Sequence, residues 1–315
     1  MSSHALARIP ADWRSRFGLL IALVLAVVIL TILRPHFLSS ANLLNVVRQI
    51  SINGMLAVGV TFVLLTAGVD LSLGSVVALA GVVAAHFAHP GDYPVLVPVA
   101  IGILAGTACG AVNGGVVTLG KVAPFIATLG MMTVARGLAL VASGGRPVSN
   151  MSEEMKALDG DLFGIPVPAI MLACVAFAAW WTLKYTRIGR HIYAVGGNEN
   201  AARAAGIHVG RVKMFAYTVC GALTGLGGVM LAARITTGQP NAGIAYELDA
   251  IAAVVIGGTS LSGGIGTIGG TILGALLMGV IGNGLDLMNV SPYYQQIVKG
   301  AIIVGAVWLD RKHAK

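Results

Sequence analysis

Long apolar runs recur along almost the entire chain and are separated by short polar segments. Apolar residues make up 57% of the 315 residues and charged residues only 10%, whereas a soluble domain carries about 25% charged residues. A run of about 20 apolar residues is long enough to cross the hydrocarbon core of a bilayer as a helix. The sequence therefore predicts an all-α membrane protein built as a polytopic helical bundle.

The lengths of these runs predict about ten membrane-spanning helices. The first run follows Arg8, Arg14 and Arg16 without a small-residue cleavage site after it, which favours an uncleaved helix over a signal peptide. The second span contains Arg48 and Asn53, and the eighth is short and rich in glycine, so these two are the least regular. No linker divides the chain, which we interpret as a single transmembrane domain of residues 1–315. The predicted spans are 17–33, 46–67, 71–88, 95–119, 123–143, 166–184, 212–233, 247–261, 264–284 and 293–309.

The basic residues indicate how the bundle is oriented. With the N-terminus inside, 13 of the 20 lysines and arginines lie on the cytoplasmic side, in line with the positive-inside rule. The longest loop on the opposite side, residues 143–165, carries two basic residues and the acidic residues Glu153, Glu154, Asp159 and Asp161. An even number of spans then places both termini inside (N-in and C-in). Because the net charge of +8 is spread between apolar runs, it indicates membrane orientation and not nucleic-acid binding.

Two glycine motifs resemble nucleotide-binding loops, but neither has the required context. Residues 115–121, GVVTLGK, match a phosphate-binding loop up to Val122, which stands where Ser or Thr would bind magnesium. Residues 264–269, GIGTIG, match a dinucleotide fingerprint without a βαβ unit around them. No metal-ligand cluster, nucleophile motif or carboxylate pair stands out, so we predict no catalytic residue, no metal and no cofactor.

Glycines at every fourth position favour close packing between membrane helices. Such rows occur at Gly106, Gly110 and Gly114, and again at Gly266, Gly270 and Gly274. Both rows therefore predict helix faces on which a neighbouring helix packs closely.

The longest polar segment away from the termini is Thr186–Lys213, TRIGRHIYAVGGNENAARAAGIHVGRVK. It is basic, and its outer arginines and Lys213 are interpreted mainly as topology signals. Within it, Asn198 suits the N-cap of a helix that begins at Glu199, and Gly206 suits its end. Glu199 and Arg203 are spaced for an i,i+4 ion pair. Because so short a helix is marginal alone, we expect it to dock on another surface; the alternative is an ordinary solvated loop.

Ionisable residues also lie inside or beside the predicted spans, where charge is costly and usually lines a bundle interior or a cavity. They are Asp70, Arg136, Glu247, Asp249 and Lys299. Asp70 precedes Leu-Ser-Leu-Gly at a predicted helix start. Its position there is equally consistent with an N-cap and with a gating role. Lys299 has two candidate partners, Asp249 and Glu247. An ion-coupled carrier would need more carboxylates at the midplane, so we expect the energy for any transport to come from elsewhere.

Five segments carry a resemblance to a known family. They are FLSSANLLNVVRQISINGMLAVGVTFVLLTAGVDLSLGS (37–75), PFIATLGMM (124–132), TRIGRHIYAVGGNENAARAAGI (186–207), AYELDAIAAVVIGGTSLSGG (245–264) and SPYYQQIVKG (291–300). In them the chain resembles the sugar permease subunits of bacterial ABC importers, most closely the ribose permease type. The resemblance implies the ABC importer permease fold, a bacterial inner-membrane location, a permease homodimer, an ABC ATPase on the cytoplasmic side and a periplasmic sugar-binding protein.

The resemblance also implies a coupling helix that contacts the ATPase, in the loop before the seventh span, here the cytoplasmic loop 186–212. The residues in that place are Glu199, Asn200, Ala201, Ala202, Arg203 and Gly206. Asn200 interrupts the run after Glu199, so the segment is only loosely similar to the Glu-Ala-Ala loop of other importer permeases. An ATPase in a separate subunit agrees with the lack of an intact phosphate-binding loop in this chain.

A monosaccharide is neutral, so its path through the bundle needs hydroxyl and amide partners. The candidates are Asn53, Thr61, Thr66, Asp70, Ser72, Asn113, Thr128 and Asn283, although most of them suit hydrogen bonds between helices equally well. The resemblance thus implies an importer of ribose or a related simple sugar that works by alternating access at a dimer interface. The alternatives are another pentose, a hexose or a polyol as the substrate, and a secondary carrier or facilitator that needs no ATPase.

Overall fold

The computed structural model describes residues 11–313, and almost all of this part of the chain is helical. The α-helices are α1 (Ala11–Leu33), α2 (Ser40–Leu65), α3 (Leu73–His86), α4 (Leu96–Thr118), α5 (Pro124–Ser143), α6 (Glu153–Lys156), α7 (Val167–Tyr185), α8 (Arg187–Gly197), α9 (Glu199–Ala204), α10 (Val209–Ile235), α11 (Tyr246–Ile256), α12 (Ile268–Leu287) and α13 (Pro292–His313). Two 3-10 turns, Pro35–Leu38 and Ala157–Asp159, and a hairpin of β1 (Asp161–Leu162) and β2 (Ile165–Pro166) complete the described elements. The chain is a helical bundle, as its apolar runs predict.

Among the described residues, six helices are long and apolar enough to cross a membrane, and each coincides with a predicted span. They are α2, α4, α5, α7, α10 and α12. Two further predicted spans fall on shorter apolar helices, Phe17–Leu33 within α1 and Leu73–His86, which is α3. The last two fall on α11 and α13. A helical membrane protein is therefore confirmed, and both the count of ten spans and the orientation stay predictions.

The predicted span 247–261 is wrong at its C-terminal end. α11 ends at Ile256, because Gly258 adopts a φ of 88° and such a glycine ends a helix. The chain then runs irregularly up to Thr267 before α12 begins. With 11 residues, α11 is about 16 Å long, which is about half the thickness of the hydrocarbon core. α3 is also short, with 14 residues.

Helices α2 and α10 form the centre of the bundle. In α2, 78% of the apolar window is buried, and in α10 67%, whereas in α7 the share is only 17%. Met55 and Val63 of α2 and Tyr217 and Cys220 of α10 belong to one continuous apolar core. Helix α4 packs on α10, α7 packs on α2 and α5 packs on α3, and all three leave most of their own surface uncovered by this chain.

Glycines bring α4 directly against α10. A Cβ atom on Gly106 would overlap the carbonyl oxygen of Gly221, and one on Gly110 would overlap the carbonyl oxygen of Tyr217. Any larger residue at these positions would push the two helices apart. The predicted close-contact face on α4 is therefore confirmed.

The second glycine row packs α12 against α11, but only in part. Cβ atoms on Gly270 and Gly274 would overlap backbone atoms at the end of α11, including the carbonyl oxygen of Ala253. Gly266, in contrast, precedes α12 and lies against Thr259 in the irregular segment. The predicted face begins at Gly270, because the helix starts only at Ile268.

The loop between α5 and α7 holds α6 and the β-hairpin, neither of which the apolar pattern predicts. Phe163 and Gly164 both have a positive φ and form the turn of the hairpin. Arg48 of α2 binds this loop, with its guanidinium 2.8 Å from Asp161 and 3.9 Å from Asp159. These carboxylates explain how a predicted span accommodates an arginine.

Candidate functional site

Helix α8 covers one end of the bundle with an amphipathic face. Ile192 and Val195 are buried, as is Gly189, whereas Arg190 is exposed. The hydroxyl oxygen of Thr186 accepts a hydrogen bond from the N–H of Gly189 at 3.2 Å and so caps the helix. The sequence does not predict this helix; its apolar residues recur at helical spacing and pack against α2 and α7.

The C-terminal end of α8 is fixed to the core helix α2 and to the segment between α11 and α12. A Cβ on Gly196 would overlap the carbonyl oxygen of Leu65, and the same oxygen accepts a hydrogen bond from the N–H of Gly264 at 3.0 Å. Tyr193 donates from its hydroxyl to the carbonyl oxygen of Gly266 at 2.9 Å. A displacement of α8 would thus reach α2 and the segment before α12 directly.

Helix α9 begins and ends where the sequence predicts. The side chain of Asn198 accepts a hydrogen bond from the N–H of Ala201 at 2.9 Å, and Gly206 terminates the helix with a φ of 82°. Ala202 is the residue of α9 that is buried, and the others lie on the surface or partly so. The capped helix is therefore docked through one small side chain and presents most of its length outward.

Charge pairs attach α9 to the central helix α10. The Glu199 carboxylate lies 2.9 Å from the Arg203 guanidinium, as predicted, and 2.6 Å from the ammonium group of Lys213 on α10. The hydrogen bond from Lys213 lowers the pKa of Glu199 below its ordinary value, and Arg203 adds to this effect. The interpretation of Lys213 as mainly a topology signal is therefore incomplete, because its side chain also joins the two helices.

A groove of ≈ 820 Å³ lies beside α9 at the same end of the bundle. Its walls are the end of α4, Arg203 of α9 and the first turns of α10, including Met214 and Phe215. Leu119, just after α4, forms part of the rim and is 81% exposed. An apolar groove with a charged rim is a surface on which another protein can pack.

Inside the bundle, a buried hydrogen-bonded network joins the start of α3 to α4. One carboxylate oxygen of Asp70 accepts from the N–H of Ser72 at 2.9 Å and from its hydroxyl at 2.6 Å. Asn113 of α4 donates to the Ser72 hydroxyl at 3.1 Å. The N-cap position of α3 belongs to Ser72 and not to Asp70, so Asp70 lies two residues before the N-cap.

Four more of the predicted path candidates bond to neighbouring groups. The hydroxyl oxygens of Thr61 and Thr271 lie 2.8 Å apart and join α2 to α12. The side chains of Asn283 and Asn42 exchange two amide hydrogen bonds of 2.9 Å. Helix-to-helix bonding, the alternative that the sequence leaves open, thus describes both pairs. The hydroxyls of Thr66 and Thr128 bond mainly to carbonyl oxygens of their own helices, at 2.8 and 2.9 Å.

Arg136 of α5 holds the irregular segment that leads into α11. Its guanidinium donates to the carbonyl oxygens of Pro240 and Ala242, the latter at 2.9 Å. The same segment touches the start of α3, where a Cβ on Gly74 or Gly243 would overlap the backbone of the other. Arg136 lies 7 residues before the end of α5, or about 10 Å along it. Arg136 therefore donates hydrogen bonds to two carbonyl groups that lie inside the bundle but outside any helix.

Lys299 of α13 pairs with Asp249 of α11, and their charged atoms are 2.7 Å apart. The structure thus selects Asp249 from the two candidate partners, while Glu247 lies beside Gly74 at the start of α3. The Asp249 side chain is 11% exposed and the Lys299 side chain 28%. A cavity of ≈ 30 Å³ adjoins the pair, and Asn53 of α2 lines it.

The predicted path residues therefore occupy separate places and not one line through this chain. Asp70, Ser72 and Asn113 form one cluster, and Asn53 lies with the Asp249 pair in another. Sequence reasoning missed Asn42 and Thr271, whose partners are 241 and 210 residues away along the chain. A polar residue inside an apolar run was the signal that could have found Thr271.

Comparisons with known proteins show which proteins this chain is similar to. Residues 42–307 match the family described as "branched-chain amino acid transport system / permease component". The ribose import permease protein RbsC of Escherichia coli K12 is 46% identical over 309 residues, which cover 95% of each chain. The protein of the same name from Bacillus subtilis is 47% identical and covers 94% of this chain and 93% of its own. The L-arabinose transport system permease protein AraH of Escherichia coli K12 is 38% identical over all of this chain and 94% of its own. No solved structure matches the chain.

Proposed function

This chain belongs to the branched-chain amino acid transport system permease family, and from that premise we propose its function. It is the membrane-spanning subunit of an ATP-driven importer of a simple sugar, and it lies in the bacterial inner membrane as a multi-pass protein. The observation that carries this proposal is the similarity, at 45–47% identity over nearly the whole chain, to ribose import permeases of several bacteria.

Ribose is the substrate that this similarity favours. A D-allose permease and the L-arabinose permeases are 38% identical to the chain, so related monosaccharides follow as the next candidates. The intramembrane charges agree with a neutral solute, because Lys299 pairs with Asp249 and Arg136 binds carbonyl oxygens.

We further propose the arrangement in which the subunit works. Two permease chains form a homodimer, an ABC ATPase binds the end of the bundle that carries α8 and α9, and a periplasmic sugar-binding protein delivers the sugar to the opposite end. That end carries the acidic loop with α6 and the hairpin. Ten spans with N-in and C-in orientation place α8 and α9 in the cytoplasm, as the distribution of basic residues favours.

Coupling follows from how α9 is attached. The ATPase moves α9, whose residues Glu199, Asn200, Ala201, Ala202 and Arg203 face it, with Gly206 setting the angle of the turn that follows. The ion pair from Glu199 to Lys213 transmits the movement to α10, and the contacts of α8 with Leu65 transmit it to α2. Because α2 and α10 form the core, their tilt opens the bundle first to one side and then to the other, which is alternating access.

Reconstitution in liposomes tests the proposal. The chain together with its ATPase and the sugar-binding protein should take up D-ribose only when ATP is present on the ATPase side. The matched control is the purified chain alone, which should give no flux above that of empty liposomes. Flux of D-ribose through the chain alone would overturn the importer and favour a facilitator. ATP-dependent uptake of a hexose but not of ribose would correct the substrate and leave the mechanism standing.

A further inference from the structure

The cavity beside Asp249 and Lys299 differs from the amide and hydroxyl pairs that join helices elsewhere in the bundle. Among the other predicted path residues, Thr61 bonds to Thr271 and Asn283 to Asn42. At the cavity, Asn53 and Gln49 of α2 are half-buried. In the part of the chain that the structure describes, no hydrogen bond from a protein group reaches either amide. An unpaired amide at this depth is costly unless something else bonds to it.

Four helices contribute to this cavity, and the polar groups come from three of them. Asn53 stands midway along the 26 residues of α2, about 18–20 Å from either end. Asp249 belongs to α11 and Lys299 to α13, while α12 adds apolar and small residues, among them Ala275 and Gly279. The cavity is therefore deep in the membrane, amide-lined on one side and charged on the other.

From this placement we propose that the cavity is a binding station for a monosaccharide on its way through the bundle. The inference rests on the proposed function and deepens it, because it assigns the hydroxyl-binding groups. An amide both donates and accepts, the carboxylate accepts and the ammonium group donates, so the four side chains together match the donors and acceptors of adjacent sugar hydroxyls. Their charges cancel, which favours a neutral solute over an ion of either sign.

The cavity is closed to a sugar in this structure. At ≈ 30 Å³, it has room for about one water molecule and is too small for a sugar. Among the described elements of this chain, the wall formed by α13 packs mainly against α11. The ion pair between Lys299 and Asp249 ties these two helices together, so it holds the empty station closed. A sugar enters when α13 moves away, and its hydroxyls then replace the bonds that the two charged groups made to each other.

The first experiment separates sugar binding from coupling. In liposomes with the ATPase and the binding protein, the Asn53→Leu chain keeps a side chain of similar volume but loses its hydrogen bonds. We expect its maximal rate of D-ribose uptake to fall at least tenfold, while ATP hydrolysis stimulated by ribose-loaded binding protein stays within twofold. Thr224→Val is the matched control, because the hydrogen bond that the structure describes for the Thr224 hydroxyl is to its own helix, and its uptake should stay within twofold.

Uptake by Asn53→Leu at the wild-type rate would overturn the station and leave the importer standing. Failure of the proposed function would be seen instead in the wild-type arm, as uptake without ATP or none with it. Equal loss of uptake and of stimulated ATP hydrolysis in Asn53→Leu would also overturn the station, because it would indicate a general defect.

A labelling experiment tests the closed state even if Asn53→Leu folds poorly. Asn53→Cys is made with the exposed Cys174 replaced by serine, and the complex is treated with a small hydrophilic maleimide. We expect slow labelling that becomes at least fivefold faster with Lys299→Gln, because the pair no longer holds α13 on α11. D-ribose at millimolar concentration should slow the labelling of the Lys299→Gln variant. Rates unaffected by either change would overturn the station.

Discussion

Helix α9 and the cavity at Asp249 differ in how far along the chain the partners of their side chains lie. On α9, Asn198 bonds to Ala201 and Glu199 to Arg203, within four residues. At the cavity, Asp249 and Lys299 are 50 residues apart, and the neighbouring amides have no protein partner that the structure describes. Helix α9 is determined largely by local bonds and is joined to α10 by an ion pair, which suits it to transmit force. The interior is assembled from distant elements and incompletely bonded, which suits it to take a ligand.

The largest effect is expected from a substitution that disrupts the turn after α9. Gly206→Pro forces φ to about −65°, whereas Gly206 has a φ of 82°, so the turn after α9 cannot form. We expect ATP-driven uptake to fall at least a hundredfold with normal membrane insertion, and the deletion of 199–205 to do the same. Gly206→Asn is the control, because asparagine tolerates the left-handed region, and it should keep most of the uptake measured in liposomes. Uptake by the deletion variant would disprove the coupling role of α9.

The next largest effect concerns Arg136, whose bonds link distant parts of the chain as those of the cavity do. Arg136→Leu leaves the carbonyls of Pro240 and Ala242 without a charged donor, and each such bond contributes about 1.5–3 kcal/mol. Uptake should fall about tenfold or more, and the melting temperature of the purified protein should drop. Arg146→Leu, at an exposed loop position, should change neither. A melting temperature unchanged by Arg136→Leu would contradict this role.

A smaller effect, on stability, is expected at the hydrogen-bonded amide pair of Asn42 and Asn283, which contrasts with the unpaired amides of the cavity. Asn42→Leu leaves the buried Asn283 unpaired, so it should destabilise the protein by about 1–3 kcal/mol. Changing both residues to leucine removes the unpaired group, and the double variant should be more stable than Asn42→Leu alone. Denaturation of the purified variants measures the coupling between the two sites. Simple additivity would mean that the amide pair contributes nothing specific.

The smallest effect is expected from pH at α9. Because the pKa of Glu199 is lowered in the folded protein, chiefly by its hydrogen bond with Lys213, the pair stabilises the fold above the unfolded pKa and is lost as the pH falls through the folded value. Uptake should therefore be unaffected by this group between about pH 6 and 8, since the ordinary pKa of Glu is about 4.3. Comparison of pH profiles for the wild type and Glu199→Gln, measured in liposomes, checks this. A difference in shape within that range would contradict the lowered pKa.

The same contrast explains which parts of the molecule could be predicted from the sequence. The cap at Asn198, the end at Gly206 and the Glu199–Arg203 pair were predictable, because each depends on residues within one or two helical turns. The glycine row on α4 was predictable too, since close packing needs only a spacing of four. Apolar length likewise predicted the six long helices.

What could not be predicted depends on partners distant in the sequence. Lys299 had two candidate carboxylates, and only the packing of α13 on α11 selects Asp249. α8 was missed because its apolar residues are few and gain their burial from α2 and α7. The early end of α11 was missed because Gly257 and Gly258 lie inside an otherwise apolar run, and hydropathy does not register the backbone conformation that they adopt.

The bond between Arg136 and the segment before α11 also has a consequence for biosynthesis. The chain is made from its N-terminus, so α5 is in the bilayer before Pro240 leaves the ribosome. α11, with 11 residues, is too short to span the bilayer by itself, and the segment before it carries carbonyl groups that lipid cannot satisfy. Integration of α11 into the bundle therefore depends on Arg136, which belongs to a helix that is synthesised earlier. The order of synthesis thus sets the order of assembly.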